Sequence, residues 1–175
     1  MLEELQKELS KFGKAVVKDS IKNLQKKNDT SNLAGSLGFD SKVHKNSFSF
    51  SFYMQDYGDF VDKGVKGKDP SLVKNGKQKG GNSPYSFNSK KPPMKPIMEW
   101  AKRKNIRLRD KDGKFAKGNY RTIGFILQKR IFAQGMKPSL FFTKPFEKHF
   151  DNLPDTLIEK FGLDLDTFIE QTLNN

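Results

Sequence analysis

The chain has 175 residues, room for one domain with its own core, but only 34% are hydrophobic, and sixteen Phe dominate that share. The lack of cysteine excludes disulfides, thiolate catalysis and thiolate metal sites. The formal net charge of +13 is unevenly spread: residues 147 to 175 hold seven acids against two bases, so residues 1 to 146 carry +18. A basic body with an acidic tail can meet nucleic acid or the acidic end of an identical neighbour.

No N-terminal apolar stretch resembles a secretion signal, and no run approaches the roughly 18 apolar residues of a membrane span, so a cytoplasm-like compartment is expected. Residues 2 to 27 read as one helix, with Leu2, Leu5, Leu9, Phe12 and Val16 at alternating three and four spacing. The stripe is expected to shift there to Val17, Ile21 and Leu24. Asn28 to Ser31 reads as the helix end and a turn, after which Leu33, Leu37 and Phe39 lead toward strands. Ser47 to Tyr53 alternates Ser and Phe, the pattern of a half-buried antiparallel strand. Ser41 to His44 is its expected hairpin partner, turning through Lys45-Asn46.

Tyr57 to Val61 suggests one helical turn. Residues 63 to 92 are rich in Gly and Lys and poor in apolar groups, so they read as a long loop, mobile when free. Pro92, Pro93 and Pro96 open a helix running to about Asn105, with Met94, Ile97, Met98 and Ala101 inward and Trp100 at the edge. Residues 106 to 117 suggest a small hairpin turning at Asp112-Gly113. Asn119 caps a helix over Tyr120 to Gln134, with Tyr120, Ile123, Ile126, Leu127 and Ile131 buried and Gly135 as its αL stop. Pro138 to Phe142 reads as extended. Pro145 then starts a helix with Phe146, Phe150 and Leu153 on one side, and a last helix is expected near Asp164 to Leu173. Neither an internal repeat nor a second domain is evident: residues 1–175 read as one domain, a body over 1–150 with an acidic helical extension over 151–175.

The chemistry-bearing residues point away from catalysis. The two histidines, His44 and His149, have no neighbouring triad pattern and read as solvated or partly packed. Asp110-Lys111-Asp112-Gly113 resembles the start of a calcium loop, but the twelfth position is Arg121 rather than Glu, so it reads as a turn. Asp164 and Asp166 diverge on a helix and make no two-carboxylate site. Phosphate-loop, dinucleotide, nucleophile-elbow and zinc-protease motifs are all missing, so no enzyme activity and no cofactor or metal is expected. The basic residues are the remaining signal. Lys63, Lys66, Lys68, Lys74, Lys77 and Lys79 lie in the Gly-Lys loop, and Arg103, Arg107 and Arg109 lie in the run from Lys102 to Lys117. These nine are the expected partner-facing or DNA-facing residues, with contact to phosphates but no reading of sequence.

Three segments, in order, resemble the tail-completion or minor tail-component family of tailed phages. Asp29-Thr30-Ser31-Asn32-Leu33-Ala34-Gly35-Ser36-Leu37 is similar to the family's Asp-Thr-Gly-x-Leu-x-x-Ser turn, with Ser31 in place of Gly. Tyr57-Gly58-Asp59-Phe60-Val61-Asp62-Lys63-Gly64 resembles its Tyr-Ala-x-Phe-Val-Glu-x-Gly segment. Gly135-Met136-Lys137-Pro138-Ser139-Leu140-Phe141-Phe142, with Pro145-Phe146, resembles its Gly-x-x-Pro-x-x-Phe-Phe ending. The resemblance covers residues 1 to 150; the Pro-Pro helix with Trp100 and the acidic tail are less typical of the family. It implies an α+β fold, a small antiparallel sheet flanked by the long N-terminal helix and further helices. It also implies a structural protein of the virion neck, with copies of itself in a ring, portal or adaptor and tail proteins as partners, and non-specific contact with packaged DNA. Such a subunit would be made in the host cytoplasm and end in the virion. The alternatives are a small basic DNA-binding protein without sequence specificity and, third, a nuclease-like enzyme.

Overall fold

The computed structural model describes residues 2–27, 31–43, 48–74, 76–116 and 118–153. The fold is α+β, with a long N-terminal helix, further helices and small antiparallel sheets. The described residues fall into two compact units, one drawn from Met1–Gly58 and Leu140–Asn175, the other from Asp59–Ser139.

The first unit is built on α1 (Leu2–Lys27), α2 (Ser31–Ser36), the hairpin β1 (Gly38–Val43) and β2 (Phe48–Tyr53), and a terminal helix at Thr143–Phe150. Proline-free and 26 residues long, α1 spans about 39 Å. Its buried seam runs Leu9, Phe12, Val16, Ser20, Leu24, so the expected shift to Val17 and Ile21 does not occur. Those two side chains are half-buried, and Ser20 takes the inward position one turn after Val16. The strand partner of β2 is longer than expected and starts at Gly38; Gly38 faces Tyr53, Phe39 faces Phe52, and Val43 faces Phe48. Lys45-Asn46 and His44 lie outside the described residues, as does the helix expected near Asp164 to Leu173. Ser31–Ser36 forms a short helix where a turn was expected.

The alternation of Ser and Phe in β2 buries Phe50 and Phe52 and exposes Ser49 and Tyr53. Phe12 stands among them, its ring 5.6 Å from Phe50, 6.2 Å from Phe52 and 5.4 Å from Phe146. Phe52 lies 5.0 Å from Phe142, and Phe146 stacks on Phe150 at 6.1 Å. Each buried Phe contributes about 1.5–3 kcal/mol by area, and edge-to-face pairs add roughly 0.5–1.5 kcal/mol, so this aromatic cluster is the main support of the unit. The terminal helix begins two residues before Pro145, which is buried at its third position; it turns Phe146 and Phe150 inward as expected, and Leu153 is buried just past its end.

The second unit holds most of α3 (Gly58–Lys63), then β3 (Val65–Lys66), a 3-10 turn at Pro70–Leu72, α4 (Met94–Arg103), α5 (Tyr120–Gln134) and β4 (Gly135–Met136); the helix at Thr143–Phe150 is α6. Helix α4 starts after Pro93 and ends two residues short of Asn105, which has φ +48°. The Asn119 side chain accepts the Thr122 N–H at 2.9 Å and so starts α5. On α5, Ile123 is buried, but Ile126, expected inside, is 45% exposed; the buried stripe passes through Ile123 and Gly124 instead. Gly135 does end α5 at positive φ, 84°, but its ψ of −171° is extended rather than αL. The chain therefore runs straight into β4, which pairs antiparallel with β3. A Cβ at Gly135 would stand 2.2 Å from the Val65 carbonyl oxygen, so only glycine allows this pairing.

Residues 63–92, read from composition as a long loop that is mobile when free, carry β3 and the 3-10 turn. Their course is set by polar contacts. The N–H groups of Lys68, Asp69 and Lys79 donate to the carbonyls of Phe132, Ala133 and Gln134 at 2.9, 3.2 and 2.8 Å. These bonds satisfy the open C-terminal end of α5. Gly67 lies so close to α5 that a Cβ there would come within 2.1 Å of the Ala133 oxygen. The Gln78 amide brackets the Gly67 peptide, accepting from its N–H at 2.7 Å and donating to its carbonyl at 3.0 Å. The buried Ser83 hydroxyl donates to Gly64 O at 2.7 Å.

Candidate functional site

The second unit concentrates the charge. Asp59–Ser139 hold 21 Lys and Arg against six Asp and Glu, net +15, and the remainder of the chain holds 12 against 14, net −2. All nine basic residues expected from sequence to face a partner lie in this unit, at different places.

Lys63 ends α3 and points its ammonium at Asp59, 3.9 Å from Oδ1. The other carboxylate oxygen of Asp59 accepts the Tyr85 hydroxyl at 2.8 Å. Partial burial, then this bond and the carboxylate charge, push the Tyr85 phenol up to about 12. Lys66 is fixed by its backbone between Tyr85 and Phe87, its N–H donating to Tyr85 O at 2.8 Å and its carbonyl accepting from Phe87 N–H at 2.9 Å. Lys68 lies over the Phe132 ring at 5.8 Å. Lys74 and Lys77 are exposed beyond the 3-10 turn, whose start is capped by Asp69. Hydrogen bonds from the Ser71 hydroxyl and N–H hold the Asp69 carboxyl below its usual value. Arg103 is exposed at the end of α4.

Arg107 and Arg109 stand on the hairpin expected at 106 to 117, of which Lys117 lies outside the described residues. Asp110 organises its turn: Oδ1 accepts the N–H groups of Asp112 and Lys114 at 3.0 and 2.9 Å, and Gly113 takes φ +78°. Arg109 pairs with Phe115 across the hairpin, which places Arg107, Arg109 and Phe115 on one face. The Phe115 ring is 61% exposed, with the Arg109 guanidinium 4.4 Å and the Arg107 guanidinium 5.5 Å from its centre.

The fold thus gathers Lys68 and Lys79 at the end of α5, sets Arg107 and Arg109 together on the hairpin, and leaves Lys63, Lys66, Lys74, Lys77 and Arg103 outside both groups. Sequence reasoning missed Arg130 and Lys137, which join Lys79 at the end of α5, and Phe115 between the arginines. The available signal was a cation on either side of the helix-ending Gly135 and an aromatic residue two positions past a turn glycine.

In the first unit the one histidine described, His149, meets Asp19 at 2.9 Å beside Lys148 at 3.5 Å. The bond to His149, opposed by burial and helped in smaller measure by the charge of Lys148, holds the Asp19 carboxyl below its usual value. Among the described residues there is no group of three His, Asp or Glu placed to hold a metal ion, and no helix is long and apolar enough to cross a membrane. Comparison with family models, with curated proteins and with solved structures returned no match.

Proposed function

We propose that the protein is a non-enzymatic structural subunit of a tailed-phage particle, of the tail-completion or head–tail connector type, working as one copy of a ring in the neck between head and tail. The observation that carries this reading is the order of the three family-like segments together with the structural part each one plays. The first turns the chain from α1 into the hairpin: Leu33 and Leu37 are buried, and the Ser36 hydroxyl accepts the Gln55 N–H at 3.1 Å. The second and third, far apart in sequence, are hydrogen-bonded neighbours. The Ser139 N–H and hydroxyl both donate to Val61 O, at 3.1 and 2.8 Å, and Val65 pairs with Met136 just beyond them. The third then delivers Phe142 and Phe146 to the aromatic cluster and buries Phe141. Residues in these segments are therefore set by the scaffold, which is where a resemblance in fold should leave its mark.

The uneven charge supports the same reading, because a ring subunit meets its neighbour through two unlike faces. A net charge of −5 on residues 147 to 175 and +15 on residues 59 to 139 supply the opposite charges that such a contact would join. Deleting the gene from the phage that encodes the chain tests the proposal. Electron micrographs of the lysate should show heads and tails unjoined or a defective neck, with joining restored by a plasmid copy. Normal, infectious particles without the protein would overturn it and favour the reading as a small DNA-binding protein.

A further inference from the structure

The end of α5 brings three cations to one place. Lys79 is carried there by its backbone, whose N–H donates to Gln134 O at 2.8 Å. Arg130 stands one helical turn before Gln134, and its Nε–H donates to Gln134 Oε1 at 3.3 Å. Lys137 follows Gln134 by three residues, just past β4. Gln134 is only 2% exposed, so the residue that ties the group together is itself fixed. Among the described residues none of the three cations forms an ion pair. Partial burial, then the charges of Arg130 and Lys137, hold the Lys79 ammonium below its usual value, which marks the grouping as electrostatically costly.

The plain explanation is that these cations serve the helix dipole, and magnitudes decide against it. A helix C-terminus presents about half a negative charge. The carbonyls of that end already accept N–H groups from Lys68, Asp69, Lys79 and Gly135. Three cations therefore leave a surplus of roughly 2.5 positive charges, as the same dipole magnitude implies. The acidic residues 147 to 175 of a second copy can meet part of this surplus, but each copy still brings a net +13, so a ring of copies stays strongly positive. That net positive charge favours an external polyanion as the partner.

We propose that Lys79, Arg130 and Lys137 form a phosphate-binding site for the backbone of a nucleic acid. Lys68 and Lys91, both over the Phe132 ring, extend it along the same helix end. The contacts are to phosphate, so binding is independent of sequence and weakens with salt. The site stands whether or not the chain joins a particle.

Fluorescence anisotropy of a labelled 20-base-pair duplex with the full chain, between 50 and 200 mM NaCl, tests it. Replacing three phosphate contacts, as K79Q/R130Q/K137Q, should weaken binding by about tenfold or more at 50 mM and flatten the log–log salt slope by about two to three. The charge-preserving K79R/R130K/K137R should stay within about threefold of the parent, which separates lost contacts from lost folding. K102Q/K111Q/K114Q removes equal charge from the same unit and should change affinity far less. Equal losses in both neutralised variants would mean diffuse attraction and overturn the site. Unchanged duplex binding by K79Q/R130Q/K137Q also overturns it. In that case, lost self-association in sedimentation would reassign the cluster to a protein interface, and lost tripolyphosphate binding in calorimetry would reassign it to free phosphate.

Discussion

Of the seventeen hydrophobic side chains buried among the described residues, thirteen belong to the unit drawn from Met1–Gly58 and Leu140–Asn175, and most are Phe or Leu. Asp59–Ser139 supply four, two of them alanines, while carrying a net charge of +15. The first unit is held by aromatic packing. The second is held by backbone bonds between a Lys-rich segment and the end of α5, with buried Asp62, Ser83 and Gln134 inside it. The contrast separates two tasks that one domain often combines: one region supplies stability, and the other tolerates charge that works against its own compactness in return for the anion-binding surface proposed above.

The sharpest way to break this contrast is Phe146→Ala. Phe146 is 0% exposed and touches the rings of Phe12, Phe52, Phe142 and Phe150, so its loss should cost about 3–5 kcal/mol in urea unfolding. A cost below about 1.5 kcal/mol would remove the aromatic cluster as the main support. Next in size is Gly135→Ala, which places a side chain at φ +84° and against the Val65 oxygen. The conformation alone costs about 1–3 kcal/mol, and the lost β3–β4 pairing should appear as faster amide exchange in residues 65–68 and no change in α1.

Ser20→Ala is expected to act in the opposite direction. Among the described residues the buried Ser20 hydroxyl has no hydrogen-bond partner, so removing it should leave stability unchanged or raise it by up to about 1 kcal/mol. A loss above that size would mean that Ser20 has a polar role in the packed unit. The smallest effect is the pH response of Asp19. Its folded value is depressed, so its contribution is present above the unfolded carboxylate value near 3.9 and is lost as pH falls through the lower folded value. Because the pair with His149 is partly exposed, Asp19→Asn should remove about 1 kcal/mol or less at pH 6 and a smaller amount at pH 2. Comparing urea midpoints at those two pH values checks both parts.

Much of the first unit was legible in sequence because periodicity there coincides with packing. The Ser-Phe alternation of β2, the spacing of Leu9, Phe12 and Val16, and Phe146-Phe150-Leu153 each place the same side chains inward in the structure. The exceptions have a common cause. Ser20 is inward because the α1 seam keeps its direction, and Ile126 is outward because α5 packs through Gly124; hydropathy weighs neither geometry. The second unit was less legible because polar bonds between distant segments set it. Gln78 bracketing Gly67, and Ser83 holding Gly64, leave no periodic trace. The nine expected cations were found by composition, whereas the grouping of Lys79 with Arg130 and Lys137 depends on a loop-to-helix bond that no local pattern encodes.

Native-state hydrogen exchange of the full chain, with and without duplex DNA at low salt, puts the division of tasks to its most direct test. Amides of α1, β1, β2 and α6 should open only with global unfolding and show the same rates in both samples. Those of α4, α5 and residues 65–69 should exchange sooner when free and slow several-fold with DNA. Equal protection of both regions in the free chain, with no slowing around α5 when DNA is added, would contradict the account.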